Sequence, residues 1–223
     1  MAFLTVRPLR DKELRNTIFH LAWPTITEQA LQTIVQYVDT AQVGRINVRA
    51  SAAVGLTSTT MWLVNAPIWA IAMGVLACVS QSLGAKDAVR ARRAASQSVL
   101  LTLIAGISLT VLTLAISPFL PGWLGAREDI YQDTARYFAI VCAPMLFRAA
   151  SIIFAAVLRA VGNTKTPMLI NILMNLSNII LNFLLINPSS SWTLGGTKFF
   201  IPGAGLGVTG AAIATAFSYV AGG

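Results

Sequence analysis

The chain has 223 residues, of which 56% are hydrophobic and 11% charged, with a formal net charge of +8 and a mean hydropathy of +0.70. Soluble domains carry about 25% charged residues, so this composition excludes an ordinary soluble domain and predicts an all-α, polytopic integral membrane protein. The positive charge does not point to nucleic acid, because the bases lie in short segments between apolar runs, as the positive-inside rule expects.

Residues 1–15 read as a basic tail without the short apolar core of a signal peptide, and residues 16–223 as one six-span transmembrane unit. The first span, from about Asn16 to Gly44, is the least apolar and has Pro24 near its start. Glu28, Gln32, Gln36 and Asp39 form a polar stripe along it, the two carboxyls about three turns apart and so on nearly the same side. The second span, Ala52 to Ser82, contains Asn65 and Pro67, and the third, Val99 to Pro118, is uniformly apolar. The fourth, Ile130 to Leu158, carries Pro144 and Arg148. Arg148 stands alone as a mid-span base, which makes it the candidate partner of Glu28, because an unpaired charge in a membrane is costly.

The fifth span, Pro167 to Ile186, places Asn171, Asn175, Asn178 and Asn182 on one face at spacings of four, three and four. Amides cannot face lipid without a large desolvation cost. This face therefore lines a chamber or a helix contact; the inner pair suits bridging between helices and the outer pair a chamber wall. Glu28, Gln32, Gln36, Asn175 and Met174 are the candidate substrate-chamber residues. The sixth span runs from about Gly207 to the end and is rich in Gly and Ala.

Loop charges set an expected orientation. The tail bases, then Lys86, Arg90, Arg92 and Arg93, then Arg159 and Lys165, alternate onto one side, which predicts both termini in the cytoplasm. Asp39, Asn178, Asn182 and Thr215 then fall at one depth in the outer leaflet. Cys78 and Cys142 lie in apolar runs and read as packing thiols, with no Cys/His metal cluster. No nucleophile with a base appears at catalytic spacing, so enzyme activity is not expected.

Several segments resemble the multidrug and toxic compound extrusion (MATE) family of antiporters. They are LAWPTITEQALQTIVQYVDTAQVG, VSQSLGAKD, RAVGNTKTPM followed by NLSNIILN, and GAGLGVTGAAIAT, in the expected order through the chain. The resemblance implies two six-helix lobes that open alternately to each side, of which this chain matches the N-terminal one; the second lobe is absent from the chain. It also implies a cation-coupling site. Asp39 matches the family's span-one Asp, Asn178 its span-five Asn, and Thr215 its span-six Thr. The family's span-five Asp falls on Asn182, which removes one negative charge. Pro24 matches the proline at which members bend.

The expected function is a cation-coupled antiporter, driven by H⁺ or by Na⁺ held at Asp39, Asn178, Asn182 and Thr215. It would export amphipathic organic or cationic compounds across a bacterial-type plasma membrane. No cofactor beyond the coupling ion is expected. The expected partners are a small-molecule substrate, the bilayer and a second six-span lobe, with no nucleic acid. A flippase for lipid-linked precursors and a non-transporting assembly subunit are the alternatives. The flippase would predict a basic chamber, whereas the stripes read as acidic and amide-rich.

Overall fold

A computed structural model describes residues 12–44, 48–194 and 197–223, with side chains described except at 13, 14, 17, 21, 39, 48–50, 189–194 and 197–202. The described residues form α1 (Lys12–Gly44), α2 (Val48–Gly84), α3 (Ala88–Ile116), α4 (Leu120–Trp123), α5 (Glu128–Cys142), α6 (Met145–Ala160), α7 (Lys165–Ile186), β1 (Pro188–Leu194), β2 (Thr197–Ala204) and α8 (Gly207–Gly222). The fold is all-α apart from the β1–β2 hairpin, which is antiparallel with Ser191 opposite Phe200 and an irregularity between Pro188 and Ser190. This hairpin lies between α7 and α8, in the segment that the sequence leaves between the fifth and sixth spans.

α2, α3 and α7 are each long and apolar enough to cross a membrane. α5 and α6 together are long and apolar enough for one further crossing, bent by 47° at the break between them. Pro144 sits in the break, where it cannot supply a backbone N–H. Pro24 and Pro67, by contrast, lie inside the continuous α1 and α2. The 33 residues of α1 exceed what a crossing requires, and its lower apolarity comes from the stripe that begins at Glu28.

α3 begins eleven residues earlier than the apolar pattern indicates. Asp87 caps it, its Oδ1 accepting from the backbone N–H of Arg90 at 2.9 Å. Arg90, Arg92 and Arg93 therefore sit exposed on the first turns of a helix instead of in a loop. The α6–α7 turn is set by Gly162, with φ of +83°, and by Asn163, whose Oδ1 accepts from the Thr166 N–H at 3.1 Å.

The packed core lies between α2, α5 and α6. Ile68, Ala72, Val75 and Val79 repeat at helical spacing on α2 and meet Phe138, Met145, Ala149 and Ile153. α3 turns small residues inward, Ser98, Thr102 and Gly106 among them, and large ones outward: Leu100, Ile104, Ile107 and Val111 are exposed. Such a face suits lipid, where helices associate through close packing of small residues. Gly106 shows how close the packing is, since a Cβ there would fall 2.8 Å from the Cα of Leu146 on α6.

Gly106→Val is expected to destabilise the protein by about 1–3 kcal/mol through overpacking. Gly74→Ala, where a Cβ meets nothing within 4 Å, is expected to be neutral. Thermal unfolding in detergent reads both; equal melting points for the two variants would contradict this packing.

Candidate functional site

α6 has two working faces. Met145, Ala149, Ile153 and Ala156 face the core, while Arg148, Ile152, Ala155 and Arg159, spaced four, three and four, line a cavity of about 140 Å³. Its other walls are Glu28, Gln32 and Gln36 of α1, Trp69 of α2, Asn171, Met174, Asn175 and Asn178 of α7, and Thr215, Ser218 and Tyr219 of α8. All five candidate chamber residues, Glu28, Gln32, Gln36, Asn175 and Met174, thus border one cavity, together with Asn178 and Thr215. Asn182 lies behind this wall, buried at 1% exposure.

The ion pair at one end of the cavity differs from the expected one. Glu28 pairs with Arg159, not Arg148: Arg159 Nη2 donates to Glu28 Oε1 at 3.0 Å and to Oε2 at 3.2 Å. Arg159 ends α6 instead of lying in the following loop, and its long stem carries the guanidinium back into the cavity. Asn171 completes the network, its Nδ2 donating to Glu28 Oε1 at 2.8 Å and to the Pro167 carbonyl at 3.1 Å. One carboxylate thereby ties α1 to α6 and α7, one turn after Pro24.

Arg148 takes neutral partners. Its Nε donates to Asn65 Oδ1 at 2.6 Å, and its Cζ sits 4.3 Å from the centroid of the Tyr219 ring. Asn65 can accept because its own Nδ2 donates to the Met61 carbonyl at 2.6 Å. The cavity therefore carries mixed charge, with the one acid among its lining residues already paired. This departs from the acidic chamber read from the sequence, which did not bring Arg159 into the cavity.

The outer polar group is built on α7 and α8. Asn182 Nδ2 donates to Asn178 Oδ1 at 3.1 Å, and Asn178 Nδ2 donates to Thr215 Oγ1 at 3.3 Å. Gly210 permits this approach, because a Cβ there would fall 2.6 Å from the Leu185 carbonyl oxygen. The side chain of Asp39 lies outside the described residues, but its backbone lies on α1. Val43 of α1 packs with Ile186 of α7 and Ala211 of α8. One helical turn from each toward the middle of its helix are positions 39, 182 and 215. Among the described residues no group of three His, Cys, Asp or Glu side chains is placed to hold a metal ion. Of the methionines, Met174 alone borders the cavity among the described residues, and Met145 is core. Cys78 and Cys142 are free thiols.

Breaking a buried ion pair strands the remaining charge at a cost of about 3–5 kcal/mol. Because the side chain of Arg159 keeps 18% exposure, Glu28→Gln is expected near the low end of that range. Glu28→Gln with Arg159→Gln should recover part of the loss. A double-mutant cycle on unfolding midpoints tests this; strictly additive losses would contradict the pairing.

A family model described as MatE matches residues 24–184. The probable multidrug resistance protein NorM of Thermotoga maritima is 30% identical over 206 residues, covering 92% of this chain and 42% of that protein. The uncharacterized transporter YisQ of Bacillus subtilis is 26% identical, over 92% of this chain and 43% of that protein. A crystal structure of MATE in complex with MaD3S aligns with a TM-score of 0.80 at 26% identity, covering 92% of this chain and 43% of that one. The chain spans less than half the length of these relatives. The matched model covers well over half of the chain, and its helices follow those of a solved MATE structure, so the protein belongs to the MatE family as an all-α membrane lobe.

Proposed function

We propose that this lobe forms half of a cation-coupled efflux transporter that moves amphipathic organic molecules by alternating access against a second six-span lobe. The observation that carries this reading is the cavity itself. It sets Trp69, Met174 and Ile152 beside amides and a paired carboxylate within a bundle whose outer surface is apolar. Pockets for drug-sized ligands run to about 300–1,000 Å³, so a cavity of about 140 Å³ is a half-site that needs a facing wall. A facing lobe supplies that wall, and rocking between the two lobes exposes the site to each side in turn.

Asp39, Asn178, Asn182 and Thr215 form the proposed coupling site for H⁺ or Na⁺. The convergence of positions 39, 182 and 215 near the Val43–Ile186–Ala211 cluster supports it, as does the Asn182–Asn178–Thr215 chain of hydrogen bonds. Proton or cation loading at Asp39 removes a negative charge from the chamber and changes its hold on the cargo. Pro24, one turn before the Glu28 network, is the proposed hinge of α1, since it removes one hydrogen bond of the helix ladder. The loop charges favour both termini on the cytoplasmic side.

In the assembled transporter, Asp39→Asn is expected to abolish gradient-driven dye efflux while leaving membrane insertion unchanged, because the amide keeps the shape but cannot ionise. Asn182→Asp is expected to strengthen the dependence on cation, by adding a second negative charge beside the first. Gradient-driven efflux at the wild-type rate in Asp39→Asn would overturn the coupling assignment.

A further inference from the structure

We infer that Arg148 is the recognition point for an oxyanion, a carboxylate, sulfonate or phosphate, carried by an amphipathic cargo. This rests on reading the cavity as the substrate half-site and names the chemistry that half-site selects. A mid-membrane guanidinium is expensive unless it has a counter-ion or serves a pathway. The cavity's one described acid, Glu28, is taken by Arg159, and no acid pairs with Arg148 among the described residues. The two contacts of Arg148 fix its plane without neutralising it: Asn65 holds Nε from α2, and the Tyr219 ring lies against its face from α8. With Nε engaged, the Nη1/Nη2 edge is the part of the fork left for a ligand, and that edge matches the two oxygens of a carboxylate or sulfonate. Because the guanidinium is held in advance, little side-chain freedom remains to be lost on binding.

The surroundings fit the rest of such a molecule. From Arg148 to Arg159 along α6 is roughly 16 Å at the helical rise. Between them the wall is formed by Ile152 and Ala155, with Trp69 and Met174 nearby. An apolar body along this wall, with its acid group at Arg148, places opposite charges in contact and its apolar surface on apolar side chains.

The test uses the purified protein in phosphatidylcholine nanodiscs and a matched dye pair, rhodamine B and its ethyl ester, which differ at the carboxylate. Affinities are read by fluorescence polarisation. The wild-type ratio of carboxylate to ester affinity is expected to fall about tenfold in Arg148→Gln, the size of one charged hydrogen-bonded contact. Arg148→Lys, which keeps the charge and loses the fork, is expected to fall between. An unchanged ratio in Arg148→Gln at an unchanged melting temperature would overturn the inference. Should Arg148→Gln not fold, displacement of rhodamine B from the wild type decides: decanesulfonate is expected to act at lower concentration than decanol, and equal potency would overturn the inference. Partial replacement of the lipid by phosphatidylglycerol distinguishes the sources of the oxyanion. Weaker rhodamine B binding in wild type alone supports a lipid headgroup as an occupant of the Arg148 site, and unchanged binding supports a water-borne amphiphile. A wild type that shows no preference for the carboxylate over the ester, while the assembled transporter keeps gradient-driven efflux, would refute this inference and leave the transport reading standing.

Discussion

A lipid environment offers no hydrogen bonds, and that constraint organises the molecule. Every polar group on a crossing helix must find a partner inside the protein or border a cavity. α1 and α7 carry four polar residues each on one face, too many to bury by direct pairing alone. The bundle turns both faces toward α6 and α8, and the surplus polar groups line a cavity. Glu28 meets this constraint in its strongest form: its two oxygens accept three hydrogen bonds from Arg159 and Asn171, and three helices are tied together in consequence.

α6 supplies the geometry that the rest of the site uses. Its small and medium side chains on one face let α2 and α3 approach closely, as the contact between Gly106 and Leu146 shows. The opposite face is thereby held at a fixed distance from α1 and α7. The 47° break before Met145 separates the direction of α6 from that of α5, so α5 contributes Phe138 and Cys142 to the core while α6 reaches across to the cavity. Core packing and the site are in this sense one arrangement, joined through the two faces of a single helix.

Periodicity was enough to read much of this. The asparagine and carboxamide stripes have helical spacing, and helical spacing is a local property that a sequence carries directly. The chamber residues Glu28, Gln32, Gln36, Asn175 and Met174 could be grouped for that reason. Partner choice could not be read in the same way. Pairing Glu28 with Arg148 followed from assigning Arg159 to a loop, yet Arg159 belongs to the last turn of α6 and its flexible stem reaches inward. Which of two arginines meets an acid depends on the bend at Pro144 and on tertiary packing. The same boundary problem hid the helical state of Arg90, Arg92 and Arg93, because charge at a helix end looks like loop composition. The β1–β2 hairpin was missed since its segment, SSSWTLGGTKFF, has no strict alternation to mark strands. The coupling group is a proposal that rests on the resemblance and on depth; the side chain of Asp39 lies outside the described residues.

The central claim is that the polar faces of α1, α6, α7 and α8 border one water-filled cavity in an otherwise lipid-facing bundle. Thiol accessibility tests it directly, in a background with Cys78 and Cys142 replaced. Single cysteines at Gln32 and Asn175, which border the cavity, and at Leu173 and Ile104, which are exposed on the outer surface at 63% and 56%, would be challenged in membranes with a charged, water-borne methanethiosulfonate. A thiolate attacks the sulfenyl sulfur of such a reagent, forming a mixed disulfide and releasing methanesulfinate, and thiolates form where water reaches. Rapid modification at positions 32 and 175 with inert positions 173 and 104 is the expected result. Inert thiols at 32 and 175, or equal rates at all four positions, would contradict it.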